Sequence, residues 1–288
     1  METYILNNNI KIPKVGLGTW LIDNKEVSEV VENALKIGYR HIDTAQAYDN
    51  EIGIGKAIQN SNLPREELFI TTKVRAEYKT YEETKKSIEE SLKKMNLEYL
   101  DLVIIHSPQP WSEFREENRY FKENLEVWKA LEDVYLSGKV KAIGVSNFLK
   151  DDLENILNNC EIKPMVNQIL THISNTNIEL INYCKENSIQ VEAYSPIAHG
   201  EALKNRNIVD MANKYNVSVP QLCIKYILQL GLVALPKATN IEHLKSNIDL
   251  KFTISNKDME ELKKLEKIQD YGKDNYFPVF DKGVKNYE

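Results

Sequence analysis

Three short apolar runs of the sequence end in a residue that can exchange a proton or hold a charge. The runs end at Asp43, Lys73 and His106, and Tyr48 follows the first of them by five residues. A buried carboxylate and a buried ammonium are each costly alone, so their joint placement favours an ion pair. An ammonium about 4 Å from a phenol, at an effective dielectric of about 20, stabilises the phenolate by roughly 4 kcal/mol, equivalent to roughly 3 pKa units. We therefore predict a Tyr48 with a pKa lowered towards neutrality and a His106 that binds a substrate oxygen.

These side chains meet only if the runs are neighbouring parallel strands. Taken singly, each residue has an ordinary explanation as a helix cap, a core residue or a strand end. From Val15 onward, however, apolar strands and helical patterns alternate eight times. Eight βα units on roughly 250 residues predict a closed (β/α)₈ barrel, a TIM barrel, in which the C-terminal strand ends face one site. A doubly wound open sheet is the alternative, but no Pro/Gly/Ser-rich linker marks the internal boundary that it would need.

The predicted elements follow from hydrophobic periodicity and capping signals. Strands are predicted over 15–20, 40–43, 68–73, 101–106, 140–146, 165–169, 189–194 and 232–236. Helices are predicted over 27–35, 49–60, 81–95, 118–137, 151–159, 177–187, 205–215, 219–230 and 240–248. Two of these helices open with a predicted capping pair, Thr80 with Glu83 and Thr176 with Glu179.

The whole chain, 1–288, is predicted to form a single domain. Its parts are an N-terminal β-hairpin (1–13) turned by Asn7-Asn8-Asn9, the barrel (14–250), and a C-terminal helix and tail (251–288). Aromatic residues are frequent in the segment 107–121 and after Ile268, and they are predicted to wall a pocket. The tail is therefore expected to lie over the active face.

Composition narrows the class of protein. The chain has 288 residues, a net charge of -6 and no isolated block of Lys or Arg, which gives no reason to expect nucleic acid or an anionic membrane as partner. Its three cysteines are widely spaced and form no C-x-x-C pair, so neither a disulfide framework nor a zinc site is indicated. With no basic, apolar N-terminal segment and no apolar run of about 18 residues, we expect a cytoplasmic protein. We expect a monomer acting on a small molecule, with no metal.

A series of short motifs occurs in order along nearly the whole chain. These are His41-Ile42-Asp43-Thr44-Ala45 with Tyr48 and Glu51, then Thr72-Lys73, His106, Gly144-Val145-Ser146-Asn147-Phe148, Asn167-Gln168, Tyr194-Ser195-Pro196 and Pro236-Lys237. In combination they resemble the aldo-keto reductase family. The resemblance implies an NADPH-binding barrel that reduces an aldehyde or ketone by hydride transfer. It also implies a catalytic tetrad of Asp43, Tyr48, Lys73 and His106, with Tyr48 as the proton donor.

The resemblance further implies how cofactor and substrate are held. Ser146, Asn147 and Gln168 match positions that hydrogen-bond the nicotinamide amide, and Tyr194 matches a ring that stacks on the nicotinamide. Amides and hydroxyls both donate and accept, and an aromatic face suits a planar ring. The other implied cofactor residues are Thr19, Asp43, Ser195, Ile197, Lys237, Ala238, Thr239, His243 and Asn247. The implied substrate-binding residues are Trp20, Tyr48, His106 and Trp111.

Near Lys237 the sequence departs from the family pattern. Ala238 occupies a position often held by serine, and His243 one often held by the arginine that binds the 2′-phosphate of NADP. Imidazole is mostly uncharged at pH 7, so it neutralises a phosphate less well than arginine does. We therefore expect NADPH as the cofactor with weakened discrimination against NADH.

Other functions fit part of the pattern. Lys73 or Lys237 at a barrel mouth could form a Schiff base, as in an aldolase-like lyase. A metal hydrolase could use His41, Asp43 and His106, although that ligand set is sparse. A cofactor-binding regulatory subunit without turnover is the third alternative, and the complete tetrad argues against it.

Overall fold

The computed structural model of the protein describes residues 2–280, which contain ten strands and ten α-helices. The strands are β1 Thr3–Ile5, β2 Lys11–Pro13, β3 Leu17–Gly18, β4 His41–Asp43, β5 Phe69–Val74, β6 Leu102–Ile105, β7 Ile143–Ser146, β8 Val166–Leu170, β9 Gln190–Tyr194 and β10 Val233–Leu235. The helices are α1 Val27–Ile37, α2 Glu51–Asn60, α3 Tyr81–Met95, α4 Phe121–Leu136, α5 Lys150–Leu157, α6 Ile178–Glu186, α7 Arg206–Lys214, α8 Val219–Gln229, α9 Ile241–Ile248 and α10 Asn256–Lys263.

Strands β3 to β10 form one parallel sheet in which each strand pairs with the next along the chain. The sheet closes between its first and last strands. There Val15 bridges Ala234, and the N–H groups of Gly16 and Gly18 donate to the carbonyls of Ala234 (2.9 Å) and Pro236 (3.1 Å). Closure confirms the predicted (β/α)₈ barrel, and the open-sheet alternative is wrong. The strands are nearly all apolar because helices cover their outer face while side chains fill the interior.

The N-terminal hairpin lies at the bottom of the barrel. Strands β1 and β2 pair in antiparallel register, and Asn9 in their turn has φ 68°, a conformation that asparagine tolerates. The Asn7 amide donates to the carbonyl of Pro164 (2.9 Å) and the Asn8 amide to that of Lys141 (2.9 Å). Both carbonyls precede barrel strands, so the hairpin covers the N-terminal strand ends. The opposite end is left open for a site.

The two predicted capping pairs have different outcomes. Thr80 caps α3 as predicted, since its hydroxyl accepts from the N–H of Glu83 at 3.3 Å. The pair at Thr176 is wrong, because the cap of α6 is Asn177. The Thr176 hydroxyl instead lies 3.0 Å from the carbonyl of His172 and 2.8 Å from the hydroxyl of Tyr226.

After α10 the chain returns across the C-terminal ends of the strands. The ring of Phe277 lies 5.2 Å from Trp20 and 4.8 Å from Trp111, centroid to centroid. The tail therefore covers the active face as predicted up to Phe280, and the rest of the predicted tail, 281–288, lies outside the described residues. Within residues 2–280, no helix combines the length and apolar character needed to cross a bilayer.

Candidate active site

Lys73 is the centre of a buried polar cluster at the C-terminal ends of β4 and β5. Its Nζ donates to Asp43 Oδ2 (2.6 Å), to the carbonyl of Thr44 (3.0 Å) and to the hydroxyl of Tyr48 (3.3 Å). Only 1% of Lys73 is exposed. An ammonium has three N–H donors, so every one of them has an acceptor. The ion pair is thus held in a single arrangement, with the phenol as its third partner.

Tyr48 lies in a 3₁₀ turn, Gln46–Tyr48, that follows β4. The Gln46 side chain anchors this turn, because its carbonyl accepts from the N–H of Arg75 at 3.1 Å. Its amide donates to the hydroxyls of Ser87 and Ser91 in α3, each at 3.1 Å. The loop that carries the phenol is therefore tied both to the segment after β5 and to α3.

The pKa predicted for Tyr48 is wrong in direction. The phenol borders the cavity, and its burial raises the pKa; the Lys73 ammonium lowers it but does not overcome burial. For Lys73 itself, burial favours the neutral amine, yet the nearby Asp43 carboxylate and Tyr48 phenol leave its pKa raised. At neutral pH the cluster therefore contains an ammonium and an un-ionised phenol, which can give up a proton.

His106 borders the cavity beside Tyr48. Its ring lies edge-on to that of Tyr48 at 5.6 Å and to that of Trp111 at 5.1 Å, centroid to centroid. Burial, followed by the positive charges of Lys73 and Arg75, holds the pKa of His106 well below its usual range. The imidazole is therefore neutral. Its Nδ1 has no hydrogen-bond partner within residues 2–280.

Hydroxyl and amide groups on β7, β8 and β9, and on Asn147 directly after β7, form a second cluster. Ser146 Oγ donates to the carbonyl of Gln168 (2.8 Å). The Asn147 amide donates to the carbonyl of His106 and to Ser146 Oγ, both at 3.0 Å. The Tyr194 hydroxyl donates to Asn147 Oδ1 at 2.7 Å. Because these donors are already used within the cluster, what it offers to a bound molecule is mainly acceptor oxygens.

Most of the predicted site residues border one cavity of about 630 Å³ at the top of the barrel. Those on its wall are Trp20, Asp43, Tyr48, His106, Trp111, Ser146, Asn147, Gln168, Tyr194, Ser195, Ile197, Lys237, Ala238, His243 and Asn247. Three others lie off the wall. Lys73 is buried and donates to the Tyr48 hydroxyl, and Thr239 is exposed. Thr19 is buried, with its hydroxyl donating to the carbonyl of Asp43 at 2.9 Å.

Two features of the site escaped the sequence reasoning. The first is Glu192 in β9, which is fully buried and accepts from the Gln168 amide at 2.9 Å. The sequence did contain an indication of this site, because an acid lies within the apolar strand segment Val191-Glu192-Ala193. The same kind of pattern identified Asp43. The second is His199, whose role depends on a residue 75 positions away.

His199 joins the tail to the loop after β9. Its Nδ1 lies 2.7 Å from Asp274 Oδ2, and its Nε2 lies 2.8 Å from Ser195 Oγ. Burial lowers the pKa of His199, although the hydrogen bond that His199 donates to Asp274 opposes this. Since a carboxylate only accepts, the neutral ring donates from Nδ1 and accepts the Ser195 hydroxyl at Nε2. This chain of contacts fastens the tail along one side of the cavity.

A closed barrel with an acid, a lysine and a histidine at its C-terminal strand ends, around a cavity, is the architecture of a barrel enzyme. A family model described as "Aldo/keto reductase family" matches residues 14–267. Glyoxal reductase of Bacillus subtilis is 42% identical over 273 residues, covering 94% of this chain and 95% of its own. The 9,11-endoperoxide prostaglandin H2 reductase of Trypanosoma cruzi is 38% identical over 280 residues, covering 95% of each.

A solved structure agrees with these relatives. The Bombyx mori aldo-keto reductase in complex with NADP superposes with a TM-score of 0.85 at 30% identity, covering 98% of each chain. The chain therefore belongs to the aldo/keto reductase family, as the sequence motifs indicated, and it is an oxidoreductase.

Proposed function

We propose that this protein reduces an aldehyde or ketone to an alcohol with NADPH, and that Tyr48 donates the proton. The observation that carries the proposal is the buried Lys73 ammonium, which is paired with Asp43 and lies 3.3 Å from an un-ionised Tyr48 phenol on the cavity wall. When bound, NADPH supplies the hydride. NADP in the Bombyx mori relative supports this choice of cofactor.

The protein's own groups account for the proton. The carbonyl oxygen of the substrate is placed between the Tyr48 hydroxyl and the neutral His106 ring, which provide two hydrogen-bond partners. As negative charge develops on that oxygen, the phenol O–H bond breaks and the proton passes to it. The phenolate that remains is stabilised by the Lys73 ammonium, while Asp43 keeps that ammonium charged and in place.

The cavity fits the proposed cofactor at both ends. Beside Tyr48, the cluster of Ser146, Asn147 and Gln168 presents acceptor oxygens that suit the N–H donors of a nicotinamide carboxamide. We assign the Tyr194 ring to stacking on the nicotinamide. At the other end, Lys237, His243 and Asn247 border the cavity and are assigned to the phosphate and adenine groups, together with Ser195, Ile197 and Ala238 on the wall between.

The test of the proposed function is oxidation of NADPH and of NADH across a panel of carbonyl compounds. The rings of Trp20, Trp111 and Phe277 form the outer wall, so partly apolar aldehydes are expected to be turned over. Glyoxal is included because a 42% identical relative is named for it. If no member of the panel oxidises either cofactor while NADPH still binds, the regulatory-subunit alternative replaces this proposal.

The lyase and hydrolase alternatives have less support. A Schiff base requires a neutral, reachable amine, whereas Lys73 has all three N–H groups engaged and lies off the cavity wall. Lys237 does border the cavity, and burial lowers its pKa. Borohydride trapping of a carbonyl compound on Lys237 would therefore contradict the reductase mechanism. Residues 2–280 contain no cluster of three or more His, Cys, Asp or Glu suited to a metal ion.

Cofactor selectivity is expected to depend on His243. The wild-type protein should favour NADPH over NADH in KM by less than about a thousandfold, because an imidazole lacks the forked set of N–H donors with which a guanidinium binds a phosphate. His243→Arg should lower the KM for NADPH by about tenfold, equivalent to one charge-assisted hydrogen bond, and leave the KM for NADH unchanged.

Ile241→Arg is the matched control for His243→Arg. Ile241 lies on the same helix, α9, is 43% exposed and is not part of the cavity wall, so the same charge is added away from the site. An equal effect of the two substitutions, or a wild-type preference above about a thousandfold, would show that position 243 does not set the selectivity.

A further inference from the structure

Glu192 is a fully buried acid on β9 that does not border the cavity. Its Oε2 accepts from Gln168 Nε2 at 2.9 Å. Its Oε1 has no hydrogen-bond partner within residues 2–280, and His41 Nε2 lies 3.7 Å from it. An acid in an apolar interior is costly, so this position needs an explanation beyond packing.

Gln168 has both of its amide N–H groups occupied by carboxyl oxygens. Nε2 donates to Asp43 Oδ1 at 2.8 Å and to Glu192 Oε2 at 2.9 Å. Rotating the amide by half a turn would bring its carbonyl oxygen against the Asp43 carboxylate, which only accepts, and would remove the N–H group that Glu192 Oε2 accepts. The two acids together therefore define which atom of Gln168 faces which way. Neither hydrogen bond uses the carbonyl oxygen Oε1, and Gln168 borders the cavity.

We propose that Glu192 is a positioning residue: with Asp43 it holds the Gln168 amide so that the carbonyl oxygen faces the cavity and accepts from the carboxamide N–H of the nicotinamide. This inference rests on the proposed function, because it requires a nicotinamide cofactor in the cavity. It also accounts for the orientation of Asp43. With Oδ1 engaged by Gln168, Oδ2 is the oxygen that pairs with Lys73 at 2.6 Å.

Glu192 can hold the Gln168 amide without placing a second negative charge beside the Asp43 carboxylate. The groups that face it are Asp43 and His41 from β4, Lys73 from β5 and Gln168 from β8. Burial, reinforced by the Asp43 carboxylate, raises the pKa of Glu192 well above its ordinary value. The carboxyl oxygen Oε2 accepts from Gln168 in either protonation state, so the contact does not depend on ionisation.

The test compares binding of NADP⁺ with binding of its 3-acetylpyridine analogue, which has no carboxamide N–H. Binding is measured by titration calorimetry, without turnover. Wild-type protein should bind NADP⁺ more tightly than the analogue. Glu192→Met, similar in size but without an acceptor, should weaken NADP⁺ binding by about three- to tenfold, as expected for a single lost hydrogen bond, and leave the analogue within about twofold. The ratio of the two Kd values should therefore contract.

Two further variants make the result specific. Glu192→Gln retains a carbonyl that can accept from Gln168, so it should keep the wild-type ratio. Gln168→Leu removes the accepting oxygen itself and should contract the ratio as Glu192→Met does, which tests the Gln168 contact that the inference requires even if Glu192→Met fails to fold. An unchanged ratio in Gln168→Leu, or equal weakening of both ligands by Glu192→Met, overturns the inference. A wild-type protein that binds neither ligand contradicts the proposed function and this inference with it.

Discussion

Replacement of Tyr48 by phenylalanine is expected to lower kcat for carbonyl reduction by at least about 10²- to 10⁴-fold, the range for loss of a general acid. The Kd for NADPH should stay within about twofold, because the substitution removes one hydroxyl and no donor to the nicotinamide. Lys73 retains Asp43 and the carbonyl of Thr44 as acceptors, so the ion pair survives. Stopped-flow turnover and fluorescence titration of NADPH measure the two quantities separately.

The matched control for Tyr48→Phe is Tyr276→Phe. Tyr276 lies in the tail and is 71% exposed, so loss of its hydroxyl should leave both kcat and Kd unchanged. A kcat of Tyr48→Phe close to that of the wild type would remove Tyr48 as the proton donor. A parallel loss of NADPH affinity would instead assign its hydroxyl to cofactor binding.

Lys73→Met is expected to have the largest effect on stability, combined with a loss of turnover comparable to that of Tyr48→Phe. Removing one partner of a buried ion pair leaves Asp43 uncompensated, which should lower the free energy of unfolding by about 3–5 kcal/mol. The pKa of Lys73 in the folded protein is raised above its value of 10.5 in the unfolded chain. The ion pair therefore stabilises the fold fully below pH 10.5, and this stabilisation is lost only as the pH rises through the pKa of Lys73 in the folded protein. Urea denaturation at pH 7 and pH 8 should therefore give the same loss.

A double variant separates the structural effect of Lys73 from its chemical effect. Asp43→Asn combined with Lys73→Met removes both charges and should recover much of the stability while leaving turnover low. Lys139→Met is the exposed control: its partner Glu89 is also half exposed, and exposed pairs contribute little. Equal stability losses for Lys73→Met and Lys139→Met would show that the buried pair is not important for the fold. Restored turnover in the double variant would show that Tyr48 does not need the ammonium.

Much of the barrel could be predicted from the sequence because its signals are local. Apolar runs of strand length alternate with helical periodicity, and α3 was predicted with the observed bounds, Tyr81–Met95. Strand ends that carry Asp43, Lys73 and His106 were identified as one site because successive strands of a barrel are neighbours. The hairpin was predicted from a local signal as well, because its tight turn favours asparagine, which tolerates a positive φ.

The errors concern quantities that depend on distant residues. The pKa of Tyr48 was predicted from its charged neighbour alone, whereas burial by the surrounding loops has the larger effect and the opposite sign. Thr176 carries a capping pattern, yet its hydroxyl is used by Tyr226, 50 positions away. The contacts of His199 were not predictable either, because Asp274 comes from the tail.

The order of strands and helices, the family, and the placement of Asp43, Lys73 and His106 at strand ends with Tyr48 in the loop after β4 follow from the sequence alone, because periodicity and motif spacing are properties of short segments. The tertiary structure decided which groups are desolvated and which acceptor each donor finds. Burial raises the pKa of the Tyr48 phenol despite the neighbouring ammonium, and Glu192 and Asp43 share the amide of Gln168. Burial and hydrogen-bond partners depend on segments that are far apart in the chain and meet only after the barrel has closed.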